Sequence, residues 1–342
     1  MKTPVLYVIG NGFDLHHWKK MGAYPDTSFS CFGSFLKENR TEIFDLLVQV
    51  FNFQVDPLAS SEPGGISCWG EFESTLGNFE AEQVWESVRD YLDDSDPHRS
   101  GEASWEAERI IDVLTKDMRH AFKDFVNGGS EEGAIQYPND IDGARLRIIG
   151  DASFLSFNYT DTLERYYGIH PSQICYIHGK AYAGEDLLLG HGVGSEDLGS
   201  AEEIESTEPP TGLTPEQQEM WYEEKSDQYS FSYELAEVAI NSYWANSFKN
   251  AKQNISDNEQ FFKSQKNVWH IIVLGHSLSE VDLDYFVTIA QHVVPNAIWY
   301  VSYYDEHVKH RFKTTLSNLG ISADRLQLFK MEELRQANSV SI

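Results

Sequence analysis

The chain has 342 residues, 41% hydrophobic and 13% aromatic, which supports a large packed core and excludes global disorder. Its formal charge of −28 excludes a sequence-independent grip on nucleic acid or an anionic membrane, although backbone N–H groups at a helix start can still hold a phosphate-bearing ligand. Cys31, Cys68 and Cys175 are isolated and without C-x-x-C spacing, and no stretch reaches the roughly 20 apolar residues that span a bilayer, so a soluble cytoplasmic protein with no disulfide framework and no metal site is expected.

In chain order, Val5–Ile9 is a short apolar run closed by Gly10, as a buried first strand should be, and too short for a signal peptide. From about Phe29 to Phe125 the apolar residues recur at helical three-to-four spacing, interrupted by a Pro-, Gly- and Ser-containing loop near Pro57–Gly70. Strand character returns at Arg147–Asn158 and Gln173–His178, with a shorter apolar run at Leu187–Leu189; a short helix is expected at Asp161–Tyr167. Ser195–Glu224 then carries ten acidic residues and no Lys or Arg, which predicts a loop, lid or mobile insert. Phe231–Phe262 reads as helix, and Val268–Leu274, Ala297–Tyr304 and Leu326–Phe329 as strands. Strand alternating with helix predicts an α/β fold with a mainly parallel sheet in one domain, 1–342. Two large insertions interrupt it, a helical one at about 29–146 and an acidic-loop-plus-helix one at about 195–265.

Polar motifs follow four of these strands, where an open α/β sheet binds its ligands. Gly10-Asn11-Gly12-Phe13-Asp14 follows the first, and its glycines permit a tight turn close to a phosphate, but Leu15 stands where a dinucleotide fingerprint needs a third Gly. Asp14 suits such a pocket only if it faces a ribose or caps the helix. Asn158, in Phe157-Asn158-Tyr159-Thr160-Asp161, has an amide that can orient a water or a carboxamide, with Thr160 and Asp161 equally suited to cap the next helix. His178-Gly179 supplies an imidazole able to take a proton from a sugar hydroxyl at neutral pH, and His191-Gly192 is the second choice. Gly275-His276-Ser277-Leu278 resembles a lipase-like nucleophile elbow, with Asp305 and His310 following in hydrolase order. Ser279 occupies the place of the elbow's second Gly, so Ser277 and Asp282 fit a ribose or phosphate contact better than a serine-hydrolase site.

Together these residues resemble the abortive-infection AbiH family of bacterial antiphage proteins. The resemblance lies in Ile9–Leu15, Phe157–Glu164, Ile177–Gly179 and Gly275–Asp282, with a weaker match at Trp69, Glu71 and Glu73. Motif order and spacing also resemble the wider sirtuin-like group, which implies a Rossmann-like sheet around NAD. By that resemblance Asn158 and His178 stand in the catalytic positions. Gly10, Asn11, Gly12, Phe13, Asp14, Tyr159, Asp161, Gly179, Gly275, His276, Ser277 and Asp282 line the nucleotide site. Thr160 departs from the Asp expected there. Without paired Cys-x-x-Cys the chain cannot build the zinc module of sirtuin deacylases, and the resemblance implies an NAD⁺ glycohydrolase releasing nicotinamide and ADP-ribose. NAD is then substrate or ligand with no further cofactor, gated by infection or by assembly into a homo-oligomer or with a defence partner. A non-catalytic NAD or ADP-ribose sensor is the alternative.

Overall fold

A five-residue run of β-branched, aliphatic and aromatic side chains can be apolar on both faces only if both are covered. Val5–Ile9 is such a run, and it forms β1 with every residue buried. The computed structural model describes residues 4–59, 69–92, 101–128, 131–183, 186–194, 214 and 228–335. Most of the acidic stretch Ser195–Glu224, and residues 60–68 of the expected loop, lie outside the described residues.

β1 pairs in parallel with β2 (Ser153–Ser156) on one side and β4 (His270–Leu274) on the other. β3 (Ile174–Tyr176), β5 (Ile298–Ser302) and β6 (Leu326–Phe329) complete a six-stranded, all-parallel sheet in the order β3-β2-β1-β4-β5-β6. This is a Rossmann-like α/β fold. Its strand order reverses between β1 and β4, where ligands bind in such sheets.

Side-chain alternation divides the strands between two cores. Leu6, Val8, Leu155, Ile271, Val273 and Val301 face one side, beneath Phe286 and Ile289 of the helix Leu283–His292 and Phe312 of the helix Glu306–Asn318. Val5, Tyr7, Ile9, Phe154, Ile272 and Leu274 face the other, beneath Phe13 of the helix Asn11–Met21 and Leu163 of the helix Thr162–Tyr167.

A third, mainly helical core stands beside the sheet. It is built by Phe29–Asn39, Thr41–Phe51, Phe72–Thr75, Ala81–Val88 and a helix that runs from Glu102–Asp112 through a π-turn at Val113–Asp117 into Met118–Asn127. The long helix Gln228–Ser247 packs along Glu102–Asp112, joining the two insertions into one body. Its centre is aromatic, with Trp69 between Phe53 and Phe72 and its indole N–H donated to the Gln54 carbonyl. Among the described residues no helix is long and apolar enough to cross a membrane.

Three expected elements differ, each because the backbone is committed elsewhere. Arg147–Gly150 is not strand: the Arg147 N–H donates to the Leu334 carbonyl and the Ile149 N–H to the Tyr7 hydroxyl. Leu187–Leu189 lies across the strand ends, with the Leu188 N–H on the His178 carbonyl and the Leu188 carbonyl accepting the Tyr159 hydroxyl. The helical character expected over Phe231–Phe262 is borne out but broken after Ser247, where the His191 N–H donates to the Ser247 carbonyl and the Lys249 N–H to the His191 carbonyl, and it resumes as the helices Ala251–Asp257 and Glu259–Ser264.

Candidate functional site

Gly10 and Gly12 end β1, and Gly275 ends β4. Their missing side chains let the two turns pack on one another: a Cβ on Gly10 would lie 2.6 Å from the His276 Cα, and one on Gly12 2.8 Å from the Gly275 Cα. The Gly10 N–H donates to the Leu274 carbonyl and the Gly12 N–H to the Gly275 carbonyl. The close approach that glycine permits here is therefore of protein backbone to protein backbone. Asn11 spends its amide on Thr27, donating to its carbonyl and accepting its hydroxyl. Phe13 is wholly buried in the core against His17 and Tyr167.

Two buried polar groups flank these turns. The first is Asp14 with Thr160 and Asn158. Asp14 is fully buried and accepts the Thr160 hydroxyl at 2.5 Å, so neither residue caps a helix. Burial raises the Asp14 carboxyl to about 6, against the opposing pull of Thr160, Thr162 and Asn158. Asn158 is 5% exposed and its amide lies close enough to Asp14 to lower the carboxyl's pKa, but neither amide atom, nor Asp14 Oδ1, reaches full hydrogen-bond geometry among the described residues. Asp161 turns away and pairs with Arg165 four residues on. Replacing Thr160 by Val should raise the Asp14 pKa further and cost about 1–3 kcal/mol, the penalty for removing a buried donor. Carboxyl NMR titration with urea unfolding checks this, and an unmoved Asp14 pKa would refute it.

The second group is charged. Phe157 and Tyr159 alternate with Asn158 and meet this group: the Phe157 ring makes edge contacts with His178 at 5.0 Å and His276 at 4.4 Å. Asp282 lies between the two imidazoles, its Oδ1 3.5 Å from His178 Nε2 and its Oδ2 3.5 Å from His276 Nε2. Lys249, from the end of the second insertion, reaches Asp282 at 3.0 Å and both oxygens of Glu73 at 3.0 Å. The Tyr159 hydroxyl faces Glu73 at 3.4 Å while donating to Leu188.

A buried ammonium keeps its charge only if paired, and Lys249 is entirely out of water. Burial disfavours its charge, but Asp282 and Glu73 outweigh burial and raise its pKa. Burial pushes Asp282 up, but Lys249, His178 and His276 together hold it at about 2. For Glu73, burial, with Asp282 adding to it, outweighs the pull of Lys249 and Tyr159 and raises the carboxyl above its ordinary value. Burial and then Lys249 push His178 well below the usual imidazole range; burial likewise holds His276 at about 4. Both histidines are thus neutral at pH 7.

The His276 tautomer is fixed, since Nδ1 accepts the Leu278 N–H at 2.9 Å and the proton must sit on Nε2, toward Asp282. Leu278 holds this bond from a left-handed backbone, φ 54°, a strain characteristic of functional turns. His178 Nε2 has no hydrogen-bond partner among the described residues.

The structure thus gathers His178, His276, Asp282 and Tyr159 in one group and Asn158 with Asp14 in another, and among the described residues no hydrogen bond or ion pair joins the two. The Ser156–Tyr176 register sets Asn158 and His178 at the same level past adjacent strands. Gly179, at φ 83°, turns the chain beneath the Asp186 carbonyl. His191 stands apart, packed on Tyr243 and Trp244 with Nδ1 accepting the Val193 N–H. Ser277 is exposed, and Asp305 caps the helix Glu306–Asn318 by accepting the His307 N–H. No hydrogen bond among the described residues connects Ser277, Asp305 and His310, so nothing activates the serine. Nor do three or more His, Cys, Asp or Glu side chains of the described residues form a group that could hold a metal.

Lys249 carries no sequence signal that sets it apart from the polar residues around it, Asn246, Ser247, Asn250 and Lys252, and Glu73 only the weaker match. The chain matches no curated protein and no solved structure. The sequence profile of the family described as bacteriophage abortive infection AbiH matches residues 6–303, most of the sheet and both insertions, and the chain belongs to that family, with a role in abortive-infection defence.

Proposed function

We propose that this family member acts in defence as an NAD⁺ glycohydrolase, releasing nicotinamide and ADP-ribose at the carboxyl ends of β1 to β4. The observation that carries this reading is the pair of open, buried groups on adjacent strand ends, the Asn158 amide and His178 Nε2. Buried polar atoms are almost always partnered in native proteins, so two such groups past the carboxyl ends of the adjacent strands β2 and β3 support a ligand site there. The electrostatics suit the reaction. Asp282, held ionised by Lys249, lies out of water between two neutral imidazoles, where a carboxylate best stabilises the cationic, oxocarbenium-like ribose.

The C1′–N bond breaks with its electron pair going to nicotinamide, which leaves neutral and needs no general acid. Water adds to C1′ and gives up one proton, which passes to solvent. Asn158 holds that water or the carboxamide; His178 Nε2 accepts from a ribose hydroxyl. An enzyme of this kind is toxic at rest, which motivates gating by infection, by self-association or by a defence partner.

With purified protein and its trigger, Asn158→Ala and His178→Ala should each cut nicotinamide release by about 10²-fold or more, with the fold intact by circular dichroism. Wild type that leaves NAD⁺ untouched in the presence of the trigger sinks the reading.

The packed glycine turns favour one other reading, a nucleotide sensor without turnover. A diphosphate reaching the start of the helix Asn11–Met21 must part the Gly12 and Gly275 turns, and a ligand that parts them selects a second arrangement of the molecule. NAD or ADP-ribose would then shift the melting temperature without being consumed.

A further inference from the structure

Lys249 is the least expected member of the charged group. Its main chain is pinned by the bridge to His191, on a segment so close that a Cβ on Gly190 would overlap the Ser247 carbonyl oxygen. Its side chain then has one course, between Glu73 of the first insertion and Asp282 beside the sheet. We propose that Lys249 is a positioning residue: clamped between Glu73 and Asp282, it fixes the Asp282 carboxylate against both imidazoles and so determines which nitrogen of His178 is left open to a substrate.

The geometry supports each part of this assignment. Asp282 Oδ2 faces the Nε2–H of His276, whose tautomer the Leu278 N–H has fixed, and it also accepts the Ser279 hydroxyl at 3.4 Å. Oδ1 is left for Lys249 and for the side of His178. His178 turns its other nitrogen to the Phe157 carbonyl, leaving Nε2 an acceptor opposite a carboxylate oxygen that cannot donate. Two acceptors 3.5 Å apart stay unprotonated only while a cation holds the carboxylate. Without Lys249 the lowest-energy state places a proton between them, on His178 Nε2, and the open acceptor is lost. The groups that face this proton are Glu73, Tyr159, His276, Asp282, Tyr285 and Lys249 itself.

The assignment rests on the proposed reaction for its purpose but not for its test, which reads histidine charge directly. In full-length protein with ¹⁵N-labelled histidine, long-range ¹H–¹⁵N spectra across pH 5 to 9 report the protonation and tautomer of His178 and His276. Lys249→Met should raise the His178 midpoint toward the usual imidazole range and convert its Nε2 from acceptor to donor. Lys249→Met with Glu73→Gln removes one charge of each sign, spares the fold an unpaired carboxylate and should give the same shift. His178 spectra unchanged in either folded variant would overturn the proposal. So would failure of both to fold, since Lys249 would then be a purely structural ion. In turnover, both variants should lower kcat more than tenfold while KM stays within about threefold. Wild type without NAD⁺ turnover would refute the glycohydrolase and leave the spectra to decide the role of Lys249.

Discussion

Gly275→Ala should abolish folding or lower stability by more than about 4 kcal/mol, among the largest effects of any single methyl in this chain. Gly275 has φ 67°, where an L-residue pays roughly 1–2 kcal/mol. The larger cost is steric. Its Cβ would overlap the Phe13 nitrogen and the Gly12 carbonyl carbon, both backbone atoms of the β1 turn. Neither turn can retreat cheaply, because the Gly12 N–H is bonded to the Gly275 carbonyl and the Gly275 N–H to the Ser302 hydroxyl. Gly22 provides the control: it has nearly the same φ, 65°, but nothing within 4 Å of its missing Cβ. Gly22→Ala should therefore cost only about 1 kcal/mol. Equal losses for the two variants in urea unfolding would refute the packed-turn account.

That contrast separates what is legible in the sequence from what is hidden. Gly10, Gly12 and Gly275 stand out in the linear chain as residues kept for close approach, and they are. What approaches them is invisible there, because the β1 and β4 turns come from opposite ends of the chain and meet only in the sheet. The Gly10 N–H reaches the Leu274 carbonyl at 2.9 Å, a contact between two strands that no local pattern announces.

The strands themselves are legible where a short apolar run ends in Gly or Asn, as at Val5–Ile9, Phe154–Leu155 and Val268–Leu274, because burial on both faces of a parallel sheet leaves a continuous apolar signature. Arg147–Gly150 and Leu187–Leu189 have the same local character but spend their backbone groups outside the ladder, and only tertiary structure decides that. Among the site residues, His178 and Asp282 each belong to a motif that marks them. Lys249 and Glu73 are brought in by the two insertions, whose sequences record helix periodicity and nothing of what lies at their ends. Thr160 gives its hydroxyl to Asp14, a pairing of the second motif with the first that neither motif announces alone.

Asp14 and Asp282 should give opposite dependences of stability on pH, and the pair of Asn substitutions separates them. The Asp14 carboxyl is raised by burial from 3.8 to about 6, so the folded state binds its proton more tightly than the unfolded chain does, and stability falls as pH rises between those values. Asp14→Asn removes that ionisation cost, keeps an oxygen for the Thr160 hydroxyl, and should stabilise the protein at pH 7 by up to about 3 kcal/mol. The gain should vanish as pH drops below about 4. For Asp282 the sign reverses. Burial alone would raise it, but Lys249 and the two histidines hold it at about 2, so its stabilisation is complete above 3.8 and is lost as pH falls through 2. Asp282→Asn leaves Lys249 with Glu73 alone and should cost about 3–5 kcal/mol at pH 7, as breaking a buried ion pair does. Urea unfolding of wild type and both variants from pH 2 to pH 8 reads both effects, and a destabilised Asp14→Asn at pH 7 would overturn the assignment of a buried, costly carboxylate. If Asp14 also serves the site, that variant will be the more stable protein and the less active one, because a charge kept in the core at such cost persists only where function requires it.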